Sequence, residues 1–422
     1  MQPSTLANFA SRAPDGRRRG MVSICSAHPF VIEATLQQAV ADGGMVLIEA
    51  TCNQVNHHGG YTGMTPAAFR DFVFKLAEAA GLPKERILLG GDHLGPNPWK
   101  SLPAEEAMQE SERMMAAFVA AGFTKIHLDT SMACGDDPVP LPEPTIAARA
   151  ARLAAVSERA AASAGIVPYY VIGTEVPIPG GAHETIAALE VTRPEAAIAT
   201  AQSHRAAFAA AGVGAAYDRV IALVVQPGVE YGSGNVVPFL REKAAALSAA
   251  LGALPGLVFE AHSTDYQSAE CLGALVQDGF AILKVGPWLT FAMRETLYGL
   301  DAIARFLRPR TPSLIDAMEQ VMLAKSTDWQ PYYGGSADEQ HVARHFSYSD
   351  RIRYYWPQPQ ARAAVEHLLL DLQDVVLPET LVSQYLPRLY ERVRSGTLVA
   401  EPRTMIAGSI KDVLHTYAKA CH

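Results

Sequence analysis

Four short segments of this chain each end on groups able to hold a metal or move a proton. Arg86-Ile87-Leu88-Leu89-Gly90-Gly91-Asp92-His93 runs apolar for the length of a strand and sets a carboxylate beside an imidazole. Leu94-Gly95-Pro96-Asn97-Pro98 then breaks the chain. Ile126-His127-Leu128-Asp129 gives way to Thr130-Ser131, and Tyr170-Val171-Ile172-Gly173 to Thr174-Glu175. Leu257-Val258-Phe259-Glu260-Ala261 gives way to His262-Ser263-Thr264-Asp265. Imidazole binds zinc at about 2.0–2.1 Å, and a catalytic site needs about three protein ligands with one position left open. His93 and His262 are candidate ligands, and Glu230, in Pro227-Gly228-Val229-Glu230-Tyr231-Gly232, could supply a third.

The remaining groups divide between proton transfer and substrate binding. Asp92, Glu49 and Glu175 form the expected catalytic set. Asp92 should point away from His93 if the strand persists to its end, so that one binds metal while the other moves a proton. Capping the following turn is the alternative use of Asp92. Asp129 and Ser131 suit substrate hydroxyls, the orientation of a histidine, or a strand-end cap. Gln54 joins them as a substrate contact. Lys284 could form a Schiff base if its pKa were lowered, bind phosphate, or pair with a carboxylate. Arg351 and Arg353 carry planar forks matched to phosphate, or lie on a solvated helix face. His57-His58-Gly59-Gly60-Tyr61-Thr62-Gly63 reads as a lid, an anion cradle or a plain surface loop.

Groups so far apart in sequence need a scaffold that delivers strand ends to one rim. Eight near-continuous apolar runs meet that need, beginning near Val22, Met45, Ile87, Lys125, Tyr169, Val220, Leu257 and Ala281. Such runs are expected of parallel strands covered on both faces. Helical stretches fill the gaps: Phe30–Ala41, Thr65-Pro66 through Ala80, Ala104–Ala121, Thr145–Ala164, Pro194–Ala211, Val237–Leu251 and Gln267–Asp278. The order is α/β, repeated strand then helix, and predicts a closed (β/α)8 TIM barrel with its active face at the carboxyl ends of the strands. An open doubly wound sheet is the alternative, but it would concentrate polar strand ends at one switch point. The barrel is assigned to residues 1–307 and a helical C-terminal extension to 308–422. Helices are expected in the extension over Pro312–Lys325, Gln360–Leu370, Pro378–Val393 and Glu401–Tyr417.

With 422 residues and 49% hydrophobic side chains, the chain can bury a large core. A net charge of -8 without blocks of like charge argues against a nucleic-acid partner. Five scattered cysteines without a Cys-x-x-Cys pair fit a reducing compartment. No signal peptide or membrane span is read, so a cytoplasmic protein is expected. A Walker P-loop, a Rossmann glycine fingerprint and a Gly-x-Ser-x-Gly elbow are all absent, which leaves a nucleotide-driven kinase poorly supported.

Longer motifs carry a family resemblance. Glu49-Ala50-Thr51-Cys52-Asn53-Gln54, Gly90-Gly91-Asp92-His93-Leu94-Gly95-Pro96, His127-Leu128-Asp129-Thr130-Ser131-Met132, Gly173-Thr174-Glu175-Val176-Pro177, Gln226-Pro227-Gly228-Val229-Glu230 and Ser347-Tyr348-Ser349-Asp350-Arg351 resemble the GatZ/KbaZ family. Its members are called non-catalytic subunits of class II tagatose-1,6-bisphosphate aldolase, and also tagatose-6-phosphate kinases. The resemblance covers nearly the whole chain. It implies a TIM barrel with a helical C-terminal part and a role in ketohexose phosphate metabolism. The implied activity is a metal-dependent 4-epimerase of fructose and tagatose 6-phosphates. The alternatives are an accessory subunit for a class II aldolase catalytic subunit, then a kinase. A sugar phosphate substrate, a divalent metal (zinc) and an oligomeric assembly go with it.

A more distant similarity is to the class II aldolases themselves. Their third strand ends in Asp-His, the proton-transfer residue and a zinc ligand, matched by Asp92 and His93. Their seventh supplies a histidine, matched by His262. Where their sixth supplies another histidine, this chain offers Glu230, which keeps a ligand but makes the site harder and more anionic.

Overall fold

The computed structural model describes residues 16–174, 189–309 and 313–421, together with Leu6 and Phe9. Eight parallel strands close into a barrel. They are β1 (Met21–Cys25), β2 (Val46–Thr51), β3 (Ile87–Leu94), β4 (Lys125–Leu128), β5 (Tyr169–Ile172), β6 (Val220–Val225), β7 (Val258–Ala261) and β8 (Ile282–Val285). Closure is made where β1 pairs with β8, Met21 opposite Ile282 and Ile24 opposite Val285. Each strand neighbours its successor in sequence, as right-handed βαβ crossovers around a ring require.

The helices follow the start signals in the sequence. Thr65 caps Pro66–Ala80 by accepting from the Ala68 N–H, and Pro66 occupies the first turn, where its missing N–H costs nothing. Two expected helices differ for one reason, the restriction proline places on the residue before it. Pro238 holds Val237 extended, so Val236–Val237 pairs with Glu230–Tyr231 in a small antiparallel ladder and the helix begins at Arg241. Pro387 divides the expected Pro378–Val393 helix into Glu379–Tyr385 and Pro387–Arg394, with Leu386 non-helical between them. The long helix Pro287–Leu307 after β8 and the helix Ala337–Phe346 complete segments for which the sequence reading named none.

The extension is not separate from the barrel in its packing. Helix Pro402–Cys421 lies against Pro29–Asp42, Ala269–Gln277 and Pro287–Leu307. One apolar cluster runs from Ile24 and Phe69 through Leu289 to Ile406 and Tyr417. Inside the barrel the layers change character along its axis. Leu47, Leu88, Val171, Val224, Val258 and Ile282 form an apolar cluster of their own. One step further along the strands the interior becomes charged. Among the described residues no helix is long and apolar enough to cross a membrane.

Candidate active site

The charged layer consists of Glu49, Lys125, Glu260 and Lys284, from four different strands, all buried. Lys125 Nζ lies 2.7 Å from Glu49 Oε1 and 2.7 Å from Glu260 Oε2. Lys284 Nζ lies 2.7 Å from Glu49 Oε2 and 3.6 Å from Glu260 Oε1, and it contacts Asp92 Oδ1. Gly90 makes room for this arrangement, since a Cβ there would stand 2.5 Å from Glu49 Oε1. Burial alone would discharge Lys284, but Asp92, Cys25, Glu49 and Glu260 hold its pKa well above the ordinary lysine value. That is the reverse of what a Schiff-base amine needs. Lys284 is therefore a paired cation, the third of the uses open to it.

Above this layer three imidazoles converge. The ring centroids of His93, His127 and His262 are 4.8 to 5.3 Å apart. Ligand atoms of Asp92, His93, His127 and His262 all lie within 4.8 Å of one another, and all four residues are buried. Each imidazole has a carboxylate on one nitrogen. His93 Nδ1 is 2.7 Å from Asp129 Oδ2, His262 Nε2 is 2.9 Å from Glu260 Oε1, and His127 Nδ1 is 2.9 Å from Asp92 Oδ1. Such pairing fixes ring orientation and raises the basicity of the opposite nitrogen, the arrangement usual for metal-binding histidines. The residues present fit a divalent cation on a direct observation: His127 Nε2 is buried with no hydrogen-bond partner. Burial pulls His262 down to about 3 and so keeps it neutral, as a metal ligand must be. His93 is displaced upward against the pull of burial, because Asp92 and Asp129 favour a positive charge at that position.

Asp92 and His93 do not face opposite ways. His93 has φ 48°, and the β3–β4 register shifts between Gly91 and Leu94. A bulge of this kind aims two consecutive side chains to one side, so both reach the chamber. Ser263, after His262, likewise sits at φ 53°. Left-handed conformations in non-glycine residues cost about 1–3 kcal/mol and cluster at functional sites.

Glu230 stands apart from the convergent group. It is on the small ladder after β6, where its Oε1 accepts from the Tyr231 N–H at 3.0 Å and Ser263 donates to it. Burial raises its carboxyl to about 7. The third nitrogen at the centre belongs to His127 instead, because β4 is the strand beside β3 and its inward residues alternate as Lys125, His127, Asp129. The spacing was readable: His127-x-Asp129 and Glu260-x-His262 both set an imidazole and a carboxylate on one strand face.

The other expected residues separate clearly. Asp129 and Ser131 orient His93: Ser131 Oγ donates to Asp129 Oδ1 at 2.7 Å while Asp129 Oδ2 holds the ring. Glu49 lies below the chamber, bridging the two lysines. Asp92, His93, His262, Lys284, Gln54 and Arg353 line the chamber. Arg351 does not; its Nε donates to the Asp328 carbonyl, and its guanidinium lies over the Tyr332 ring at 3.2 Å. Glu175 falls outside the described residues. The glycine-rich loop folds back on Gln54, and Gly60 is needed there, since a Cβ would meet the Gln54 carbonyl oxygen at 2.4 Å. His57 and His58 at its start both point Nε2 at Glu110 Oε2, at 2.8 and 2.9 Å. Cys25, Tyr61, Tyr231 and Tyr354 line the chamber without having been singled out in the sequence.

Fold and site together define a (β/α)8-barrel protein with a histidine–carboxylate centre at the strand ends where such barrels carry their chemistry. The chain belongs to the GatZ/KbaZ-like family, described as D-tagatose-1,6-bisphosphate aldolase subunits, whose model matches residues 6–422. A solved structure from Sinorhizobium meliloti 1021, named a "probable tagatose 6 phosphate kinase", is 56% identical with a TM-score of 0.89, over 96% of this chain and 100% of that one. Fructuronate-tagaturonate epimerase UxaE from Cohnella laeviribosi matches at 12% identity and a TM-score of 0.46, over 98% of this chain and 84% of its own. The YdjI aldolase from Escherichia coli K12 matches at 11% identity and a TM-score of 0.40, over 88% and 96%.

Proposed function

We propose that this protein is a metal-dependent enzyme of ketohexose phosphate metabolism, interconverting fructose 6-phosphate and tagatose 6-phosphate at C4 by a retro-aldol route. The observation that carries this reading is the convergence of His93, His127 and His262 with Asp92 among them. A divalent cation held by the three imidazoles, zinc by their chemistry, would supply Lewis-acid polarisation of the substrate C2 carbonyl.

The chain's own groups supply the proton transfers. Asp92 is kept ionised. Burial opposes this, but His93, Lys284 and the hydrogen bond with His127 leave its carboxyl well below the ordinary range. As a carboxylate it accepts the C4 hydroxyl proton. The C3–C4 bond then breaks, its electron pair passing toward C2 as an enolate and C4 becoming an aldehyde. The aldehyde fragment turns and C3 adds to its other face. Asp92 returns the proton to the new C4 alkoxide, so nothing is consumed. Positioned acid–base catalysis of this kind contributes roughly 10²–10⁴-fold. Metal-loaded protein incubated with fructose 6-phosphate should yield tagatose 6-phosphate, detectable by NMR; its absence overturns the reading.

The family's description as an aldolase subunit supports a second reading, in which the chain stabilises a separate class II catalytic subunit. Co-purification with that subunit, together with an empty metal site, would favour it. A kinase reading predicts ATP turnover, for which the sequence offers no P-loop.

A further inference from the structure

The chamber cannot hold a hexose phosphate by itself. Its volume is about 80 Å³, against roughly 300–1,000 Å³ for sites that enclose a small ligand. A second cleft of about 460 Å³ adjoins it. Cys25, Gln54, Tyr61, Gly286 and Arg353 border both spaces. A substrate with its reacting carbons in the chamber must therefore run past Gln54, Tyr61 and Arg353 into the cleft.

The cleft's charge says what kind of tail it suits. Arg353, Arg362 and Arg403 line it against a single carboxylate, Glu366. The whole chain carries -8, so the sign is reversed locally, and clefts of one sign concentrate ligands of the other. Among the described residues none of the three guanidiniums has a carboxylate within 4.0 Å. Arg353 is held directly by neutral groups, while the carboxylates of Asp350 and Asp265 act on it from beyond ion-pair contact. It donates to the carbonyl oxygens of Ser349 and Asp350, the latter at 3.1 Å, and to the Tyr354 hydroxyl at 3.2 Å. Its guanidinium lies over the Tyr354 ring at 4.6 Å. All of these partners are formally neutral. By contrast, the buried guanidinium of Arg294, in the helix after β8, has a carboxylate, Asp350, at 3.2 Å. A cation with no carboxylate in ion-pair contact, fixed where two cavities meet, is placed to take an anion.

We propose that this cleft is the anion subsite of the active centre, receiving the phosphate end of the sugar phosphate. Arg353 grips the phosphate at the junction, and Arg362 and Arg403 draw it in from the rim. The inference rests on the substrate class proposed above but not on the epimerisation itself. Trp356 lines the cleft, so its fluorescence should respond to occupancy.

Calorimetric titration of the metal-loaded protein with fructose 6-phosphate, fructose and inorganic phosphate tests the subsite. The wild type should bind fructose 6-phosphate at least about 10-fold more tightly than fructose, the scale of a charge-assisted bidentate contact. Phosphate should compete and perturb Trp356 fluorescence. Arg353→Met should bring the two sugars to near-equal affinity with metal content unchanged. Because Arg353 also ties down backbone carbonyls, the exposed pair Arg362→Glu/Arg403→Glu provides a variant without that risk. It should cut the preference several-fold and steepen its loss with salt. Equal binding of both sugars by the wild type overturns the proposal, as does an unaltered preference in the folded double variant. Phosphate-dependent binding without epimerisation would remove the proposed activity and leave the subsite standing.

Discussion

His93 Nδ1 lies 2.7 Å from Asp129 Oδ2, although the two residues are 36 positions apart on adjacent strands. The other ring nitrogen is left 3.7 Å from Asp92 Oδ2, and Glu260 holds the His262 ring in the same way. The centre is thus three imidazoles, each steered by a different carboxylate.

Metal analysis after substitution should separate ligands from neighbours. His93→Ala, His127→Ala and His262→Ala should each lose bound metal, whereas Glu230→Gln should keep it. Asp129→Asn should weaken metal affinity by roughly 10–100-fold, since only the ring's support is removed. Retention of full metal by His127→Ala, seen by elemental analysis of the purified protein, would contradict this assignment.

Asp92 should matter for turnover more than for metal binding. Asp92→Asn keeps the shape and the contact with His127 but cannot accept a proton. Epimerisation should fall by roughly 10²–10⁴-fold with most of the metal retained. A variant within a few-fold of wild type in a coupled kinetic assay would remove Asp92 from the proton-transfer step.

Lys125 should be a stability residue. Lys125→Met would leave Glu49 and Glu260 facing each other, both fully buried. Breaking a buried pair from one side costs about 3–5 kcal/mol, and Lys284 would be left to balance Glu49, Glu260 and Asp92. Neutralising both acids as well should recover part of the loss. Chemical denaturation followed by circular dichroism reads both outcomes.

Acid should weaken the packing of the helical extension through His345 and Glu319. Burial lowers His345 from 6.5 to about 4. Glu319 is resisted by burial but drawn from 4.5 down to about 2 by its hydrogen bonds with Arg344 and His341. Both folded values lie below the unfolded ones, so both groups add stability at high pH that is lost on acidification. The histidine contribution fades between about pH 6.5 and 4, and the carboxylate contribution between about 4.5 and 2. His345→Phe should flatten the upper window and Glu319→Gln the lower one. Urea midpoints measured from pH 7 to pH 3 check the slopes, and unchanged slopes would exclude these two groups.

Glycine conformation offers a further test. Gly95 brings its backbone so close to Asp129 that a Cβ would stand 1.6 Å from the Asp129 carbonyl oxygen. Gly95→Ala should therefore disrupt the strand end that holds His93. The expected result is insoluble protein, or loss of metal in whatever soluble fraction remains.

Much of this was readable in the chain. The eight strands show in runs such as Val220–Val225 because parallel strands buried on both faces must be apolar throughout. The candidate ligands show as polar residues ending those runs. Two features were hidden for identifiable reasons. Whether Asp92 and His93 share a face depends on one φ angle at His93, and alternation along the strand predicts the wrong side. It is His127 that joins His93 and His262 in the convergent group while Glu230 lies apart, a placement set by the neighbour relation of β3 and β4 and the ladder at Glu230–Tyr231.

The sequence by itself determined the ring of βα units and the strand ends that carry the chemistry. These are local matters of periodicity and capping. Tertiary structure alone decided which of the scattered carboxylates steer a histidine, which neutralise a buried lysine, and which arginine of the pair Arg351 and Arg353 meets the cavity. Those roles depend on distances between side chains from different strands and helices, fixed only when the barrel closes and the extension packs against it.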